Sequence, residues 1–147
     1  MRNIFIFSAL TLLFQLISSC EQKTEDEFKQ EKRIEKVKDI SKLQKTVITY
    51  DSIFDAGTVK KGEKVSATFL CKNVGKHIWQ IAEISPSCGC TDATKAPTNG
   101  IAPGEQFQIK ASIDTKNFGS NKFEKTVTVL SNCQEPVLIL RIIGKLK

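Results

Sequence analysis

The chain has 147 residues, 22 Lys+Arg against 16 Asp+Glu for a net charge of +6, and a single His. That length holds one domain of ordinary size plus an appendage, and excludes a pair of catalytic lobes. With 40% hydrophobic and 26% charged residues, most of the chain is globular rather than collagen-like, coiled-coil-only or multi-pass membrane in class, and one His argues against His-rich metal sites and most His-based catalytic dyads.

The first twenty residues read as an address. Arg2 supplies a positive start, and Ile4 to Ile17 form an apolar run of 14 residues. Such a run is too short and too lightly flanked for an ordinary spanning helix, so it reads as a secretory signal. It closes on Ile17-Ser18-Ser19-Cys20, which resembles the bacterial lipobox, where signal peptidase cuts before a diacylated cysteine. That resemblance implies that residues 1–19 are removed and that Cys20 is the lipidated first residue of the mature protein. Two or three acyl chains, at roughly 0.8 kcal/mol per buried CH₂, make a stable membrane anchor. The expected location is the cell envelope, at an outer membrane, facing the periplasm or exported to the surface. The competing reading is a plain signal with a chance cysteine.

Residues 20–46 form a charged tether. From 21 to 46 there are seven acidic and eight basic side chains, with Phe28, Ile34, Val37, Ile40 and Leu43 as the large apolar residues. A spacing of three gives a weak helical stripe without cap signals, so the segment reads as a solvated spacer, partly helical at best. Fully extended it would reach about 90 Å, at roughly 3.4 Å per residue. Lys23-Thr24-Glu25-Asp26-Glu27 resembles the Lys-plus-acidic surface-export tags of some Gram-negative lipoproteins.

From residue 47 to 147 the pattern changes to short strands. Glycines at 62, 75, 89, 104 and 119 are 13, 14, 15 and 15 residues apart, each gap long enough for one strand and its loop. Strands are predicted near 47–55, 64–73, 78–86, 92–97, 106–114, 122–132 and 137–146, the fourth being the weakest. Val65, Ala67, Phe69 and Cys71 share one face of the second; Phe107, Ile109, Ala111 and Ile113 share one face of the fifth. The last strand is apolar on both faces, so it is central or covered. Seven short strands over about 100 residues predict an all-β, immunoglobulin-like, seven-stranded antiparallel sandwich.

Phe54-Asp55-Ala56-Gly57, Lys61-Gly62, Thr68-Phe69 and Asn73-Val74-Gly75 lead to Ser87-Cys88-Gly89-Cys90-Thr91, then Ala102-Pro103-Gly104-Glu105, Asp114-Thr115, Gly119, Ser131-Asn132 and Gly144. In this order they resemble the bacterial family known as domain of unknown function 1573, over residues 50–147. The resemblance implies an immunoglobulin-like sandwich in the envelope and brings no reaction with it. Cys71 and Cys133 depart from the family's pattern.

Four cysteines follow Cys20, and they allow three complete pairings. In an alternating sandwich the second and sixth strands end at one pole and the third at the other. Cys71 and Cys133 therefore share a pole, opposite to Cys88 and Cys90, and a bridge needs Cα atoms within about 7 Å. A 71–133 disulfide is feasible in an exported chain, and closing its 62-residue loop would stabilise by about 4 kcal/mol in the chain-entropy account. The alternative is two small buried hydrophobes with free thiols. Cys88-Gly89-Cys90 is the one candidate for chemistry: a structural bridge or rigid turn, a redox pair, a soft-metal chelate or a crosslinking site.

His77 falls at the pole away from Cys88 and Cys90, with no partner constellation, and Asp51, Asp55, Asp92 and Asp114 sit at strand ends, where aspartate serves turns. No catalytic residue, metal or cofactor is assigned. Lys60, Lys61, Lys116 and Lys122 gather near the Cys-Gly-Cys pole; they read first as a solvated surface, and the alternative is a site for an envelope protein or an acidic glycan, while nucleic acid is not expected as a partner of an exported chain. The two functions left are a lipid-anchored, non-enzymatic binding or structural module and a thiol-redox or soft-metal-handling protein using Cys88 and Cys90.

Overall fold

A computed structural model describes residues 25–147. The signal segment, Cys20 and the Lys23-Thr24 start of the acidic run lie outside the described residues. The chain divides into two compact units, one ending at Ile34 and one running from Glu35 to Lys147.

The tether is more ordered than its composition predicts, since Glu25–Ser41 form one 17-residue helix, α1. Glu, Lys, Gln and Arg are all strong helix formers. Within the first unit Glu25 and Lys29 form an i,i+4 pair at 3.9 Å, and the Lys32 ammonium lies 4.4 Å from the Phe28 ring centre. Within the second, Lys36 pairs with Glu83 at 3.3 Å and Ile40 is buried. Ile40 and Leu43 face Ile81 and Ala82 across a small groove. Tertiary burial of Ile40 supports the last turns, and local spacing cannot signal that.

Eight strands follow: β1 (Ile48–Tyr50), β2 (Ile53–Val59), β3 (Lys64–Asn73), β4 (Ile81–Pro86), β5 (Thr91–Ala93), β6 (Gln106–Asp114), β7 (Lys122–Ser131) and β8 (Val137–Leu146). They form two four-stranded sheets, ordered β1-β3-β6-β5 and β2-β8-β7-β4. This is the sandwich that the alternation predicts, and β3, β6 and β8 have the bounds read from the sequence.

The first predicted strand is two. Ile48 and Tyr50 pair with Asn73 and Cys71 of β3. The chain then crosses at Asp51-Ser52, and Ile53 lies beside Arg141 of β8 in the other sheet. The Ser52 carbonyl accepts a hydrogen bond from the Arg141 N–H at 2.7 Å, which fixes the crossing. β2 runs parallel to β8, so the sandwich is not wholly antiparallel. The third predicted strand loses its start: Trp79 forms an isolated bridge with Ile101 instead. The fourth shortens to three residues.

Side chains of β3 alternate perfectly between exposed and buried. Phe69, Trp79, Ile109, Ile113, Val127, Val129, Leu140 and Ile142 are fully enclosed between the sheets. β8 is central, between β2 and β7, but its outer face is open: Val137 and Ile139 are half exposed. Phe69 packs edge-on against Phe54, with ring centres 6.4 Å apart, and so joins β3 to β2 across the core. We expect Phe69→Ala to lower the unfolding free energy by about 3–5 kcal/mol, the cost of emptying an aromatic site in a rigid core. Urea denaturation followed by tryptophan fluorescence measures it.

Candidate functional site

The end of the sandwich where the chain enters at Thr46 is organised by two buried asparagines. Asn73 occupies an inward position of β3, where the alternation would otherwise place an apolar residue. Its Oδ1 accepts from the Thr46 hydroxyl at 2.8 Å and from the Gly75 N–H at 3.2 Å. Its Nδ2 donates to the carbonyls of His77 at 2.8 Å and Ile101 at 2.9 Å. Its backbone N–H and carbonyl are bonded to Glu105 and Gly104. Gly75 is required here because a Cβ would collide with the Thr46 hydroxyl and the Val47 nitrogen.

Asn132 does the same for the neighbouring crossing. Its Oδ1 accepts from the Gln80 N–H at 2.7 Å, and its Nδ2 donates to the Gln44 and Ile78 carbonyls at 2.8 and 2.9 Å. Its own carbonyl accepts from the Thr46 N–H at 3.1 Å. These five amide and hydroxyl atoms tie four chain segments, 44–46, 73–80, 101–105 and 132, together without regular ladder bonds.

Cys71 and Cys133 lie at this same end, as the strand directions imply, but they stand as free thiols rather than as a bridge. Cys71 sits opposite Tyr50 and Phe107 in its sheet. The Cys133 sulfur accepts a hydrogen bond from the Ser131 hydroxyl at 3.1 Å. Trp79 stacks edge-on to Phe107 with ring centres 6.3 Å apart. Its Nε1–H is buried with no acceptor in regular hydrogen-bond geometry; the Cys133 sulfur is the polar group that it influences. Burial pushes the Cys71 thiol up to about 11, with the neighbouring Cys133 and Asp51 adding to the rise. Burial also raises Cys133, against the pull of Ser131 and Trp79.

At the far end Cys88 and Cys90 are joined, with S–S 2.08 Å and Cα atoms 5.3 Å apart. The turn is further held by the Thr91 N–H donating to the Cys88 carbonyl at 3.1 Å and the Asp114 N–H to the Cys90 carbonyl at 3.0 Å. Both sulfurs face the Thr91 hydroxyl, at 3.4 and 3.9 Å. Beside it, buried Thr115 donates to the Glu63 carbonyl at 2.7 Å and accepts from the Gly62 N–H at 2.9 Å, pinning the β2–β3 turn to the end of β6. His77 is exposed at the opposite end, where its carbonyl serves Asn73. Asp55 and Asp114 serve turns, each accepting from the N–H two residues on, at 2.8 and 2.9 Å.

The sequence pattern marks the cysteine poles correctly but misses the asparagines, Thr115 and a cleft on the outer face of β2, β8 and β7. Asn73 had a visible signal, its inward phase on β3; Asn132 and Thr115 had none beyond their places at strand ends.

Two packed four-stranded sheets, with a chain that changes sheets between β1 and β2, make the fold an immunoglobulin-like β-sandwich. The chain belongs to the family described as "Protein of unknown function (DUF1573)", whose profile matches residues 47–146. A protein of unknown function from Porphyromonas gingivalis W83 superposes with a TM-score of 0.61 at 20% identity, over 69% of this chain and 47% of that one. The chain thus spans about half the length of that protein. The human CEP192 PapD-like domain 7 matches with a TM-score of 0.52 at 10% identity, over 72% of this chain and 89% of the domain. The secreted serine protease VesC of Vibrio cholerae gives 0.54 at 13% identity, over 74% of this chain but 24% of the protease. These likenesses show the fold. No curated protein sequence matches the chain.

Replacing Asn132 by Ala leaves the Gln80 N–H and two carbonyls without partners, and we expect a loss of about 2–4 kcal/mol, since each orphaned buried group costs about 1–3 kcal/mol unless water reaches it. Urea unfolding reads the loss, and faster hydrogen exchange at the Gln80 amide locates it.

Because the folded Cys71 pKa lies above its ordinary value of 9.0, at about 11, the unfolded chain ionises first. Its contribution to stability is intact below pH 9 and is lost as pH rises toward 11. Stability measured across that window should fall less steeply in Cys71→Ala than in the parent protein.

Proposed function

We propose that the protein is a non-enzymatic binding or structural module of the cell envelope, held to a membrane by lipid on Cys20 and presenting the far end of its sandwich to a partner. The observation that carries this reading is the placement of the Cys88–Cys90 bridge. It rigidifies an exposed turn at the end opposite to Thr46, where the tether joins. A turn held in one shape loses little conformational freedom on binding. Gly89, at its tip, is exposed and has open space where a side chain would project. Buried polar groups at both ends are spent on holding backbone, which suits a scaffold. A thiol-exchange role draws no support from the surroundings of Cys88 and Cys90: their sulfurs face a threonine hydroxyl, and the one imidazole is at the other end.

The anchor is tested by Cys20→Ser. We expect loss of the acylated N-terminal peptide in mass spectra and release of the protein from the membrane fraction; continued membrane association would sink the lipid tether. The presenting end is tested by placing a photo-crosslinking residue at Gly89 or at Lys76, at the opposite end, in the native envelope. Adducts from position 89 and not from 76 are expected, and equal yields would refute the assignment.

A further inference from the structure

The outer face of β7, β8 and β2 is built in rows. Lys122 of β7 is directly opposite Lys145 of β8, and Thr58 of β2 lies on its other side. The next row is Glu124, Ile143 and Asp55; the third is Thr126, Arg141 and Ile53. Two lysines opposite each other on neighbouring strands repel, and a sheet ordinarily relieves this with a carboxylate on the diagonal.

Here the carboxylates on the diagonal have other partners. Glu124 takes the bidentate grip of Arg141, with Nε to Oε1 at 2.8 Å and Nη2 to Oε2 at 2.9 Å, which holds its carboxyl below the usual range. Asp55 Oδ1 accepts from the Gly57 N–H at 2.8 Å. Among the described residues neither Lys122 nor Lys145 has an ion-pair partner. The register between β2 and β8 shifts between Asp55 and Thr58, and Gly57 turns there with φ +65° and open space at its Cβ position. The bulge therefore opens a cleft of about 520 Å³ lined by both lysines, Thr58, Asp55, Glu124 and Ile143. That volume suits a ligand of a few rings.

We propose that this cleft binds an acidic saccharide, a uronate-bearing oligosaccharide, with its carboxylate on Lys122 and Lys145. The inference rests on the reading of the protein as a binding module and names its ligand class. Bare phosphate pairs with the lysines but does not reach Thr58 and the carboxylate oxygens that line the rest of the cleft. A sugar acid meets both signs: its carboxylate pairs with the ammonium groups, and its hydroxyls donate to the outer carboxylate oxygens and exchange hydrogen bonds with Thr58. Ile143, in the middle row, offers an apolar surface to the ring.

The test is an NMR titration of the full chain with trigalacturonate, with maltotriose and inorganic phosphate as parallel probes. We expect saturable binding of trigalacturonate, amide shifts at Thr58, Lys122 and Lys145, and weakening with added salt. The doubly substituted Lys122→Gln, Lys145→Gln protein, altered only at exposed sites, should bind roughly tenfold more weakly or worse. Equal binding of maltotriose, equal binding of phosphate at the same amides, or no saturation would each overturn the proposal. If it falls while crosslinks from position 89 persist, the module reading stands without this ligand; if both fail, the module reading goes too.

Discussion

Two buried carboxamides hold this domain in its shape. Asn73 uses both side-chain oxygen lone pairs, both amide hydrogens and its backbone groups, and Asn132 uses nearly as many, so that irregular segments from Gln44 to Asn132 share one hydrogen-bonded end. Thr46 links the two through its hydroxyl and its N–H. A sheet satisfies its own backbone, but a strand that begins outside the ladders cannot; the carboxamide, with two donors and two acceptors, replaces the missing ladder. The path of residues 44–48, the start of β1 and the place of Trp79, edge-on to Phe107 and beside the Cys133 sulfur, depend on this.

The sandwich itself was legible because its interior is written in alternation. Val65, Ala67, Phe69 and Cys71 point inward by period alone, and so do Ile109 and Ile113. The poles of the cysteines followed from strand directions. The split of the first strand was not legible, because the residues on either side of Asp51-Ser52 are β-formers that suit either sheet, and the choice rests on pairing with distant Cys71 and Arg141. The helix of the tether was underestimated because Ile40 gains its support from Ile81 and Ala82, some forty residues away. The unbridged state of Cys71 and Cys133 was one of two open readings: shared location permits a bond, but it does not set the oxidation state. The cleft needed three strands in register, and neither Lys122 nor Lys145 carries a sequence signal of its partner.

The two ends of the domain divide the work. One end uses neutral carboxamides and thiols, buried and raised in pKa, as packing and fastening groups. The other carries a covalent turn and exposed lysines, which face solvent outside the core. Bidentate pairing of Arg141 with Glu124 joins two neighbouring rows of one sheet face and leaves the Lys122–Lys145 row cationic.

The change of sheet at Asp51-Ser52 brings a mechanical consequence. By crossing there, the chain lays β2 parallel to β8, so that the second strand and the last are hydrogen-bonded neighbours pointing the same way. A pull between Ser52 and Lys147 therefore slides β2 along β8 and loads their bonds together, in shear. A hairpin of the two would instead unzip bond by bond. Tension along these two strands is shared by all of their ladder bonds at once.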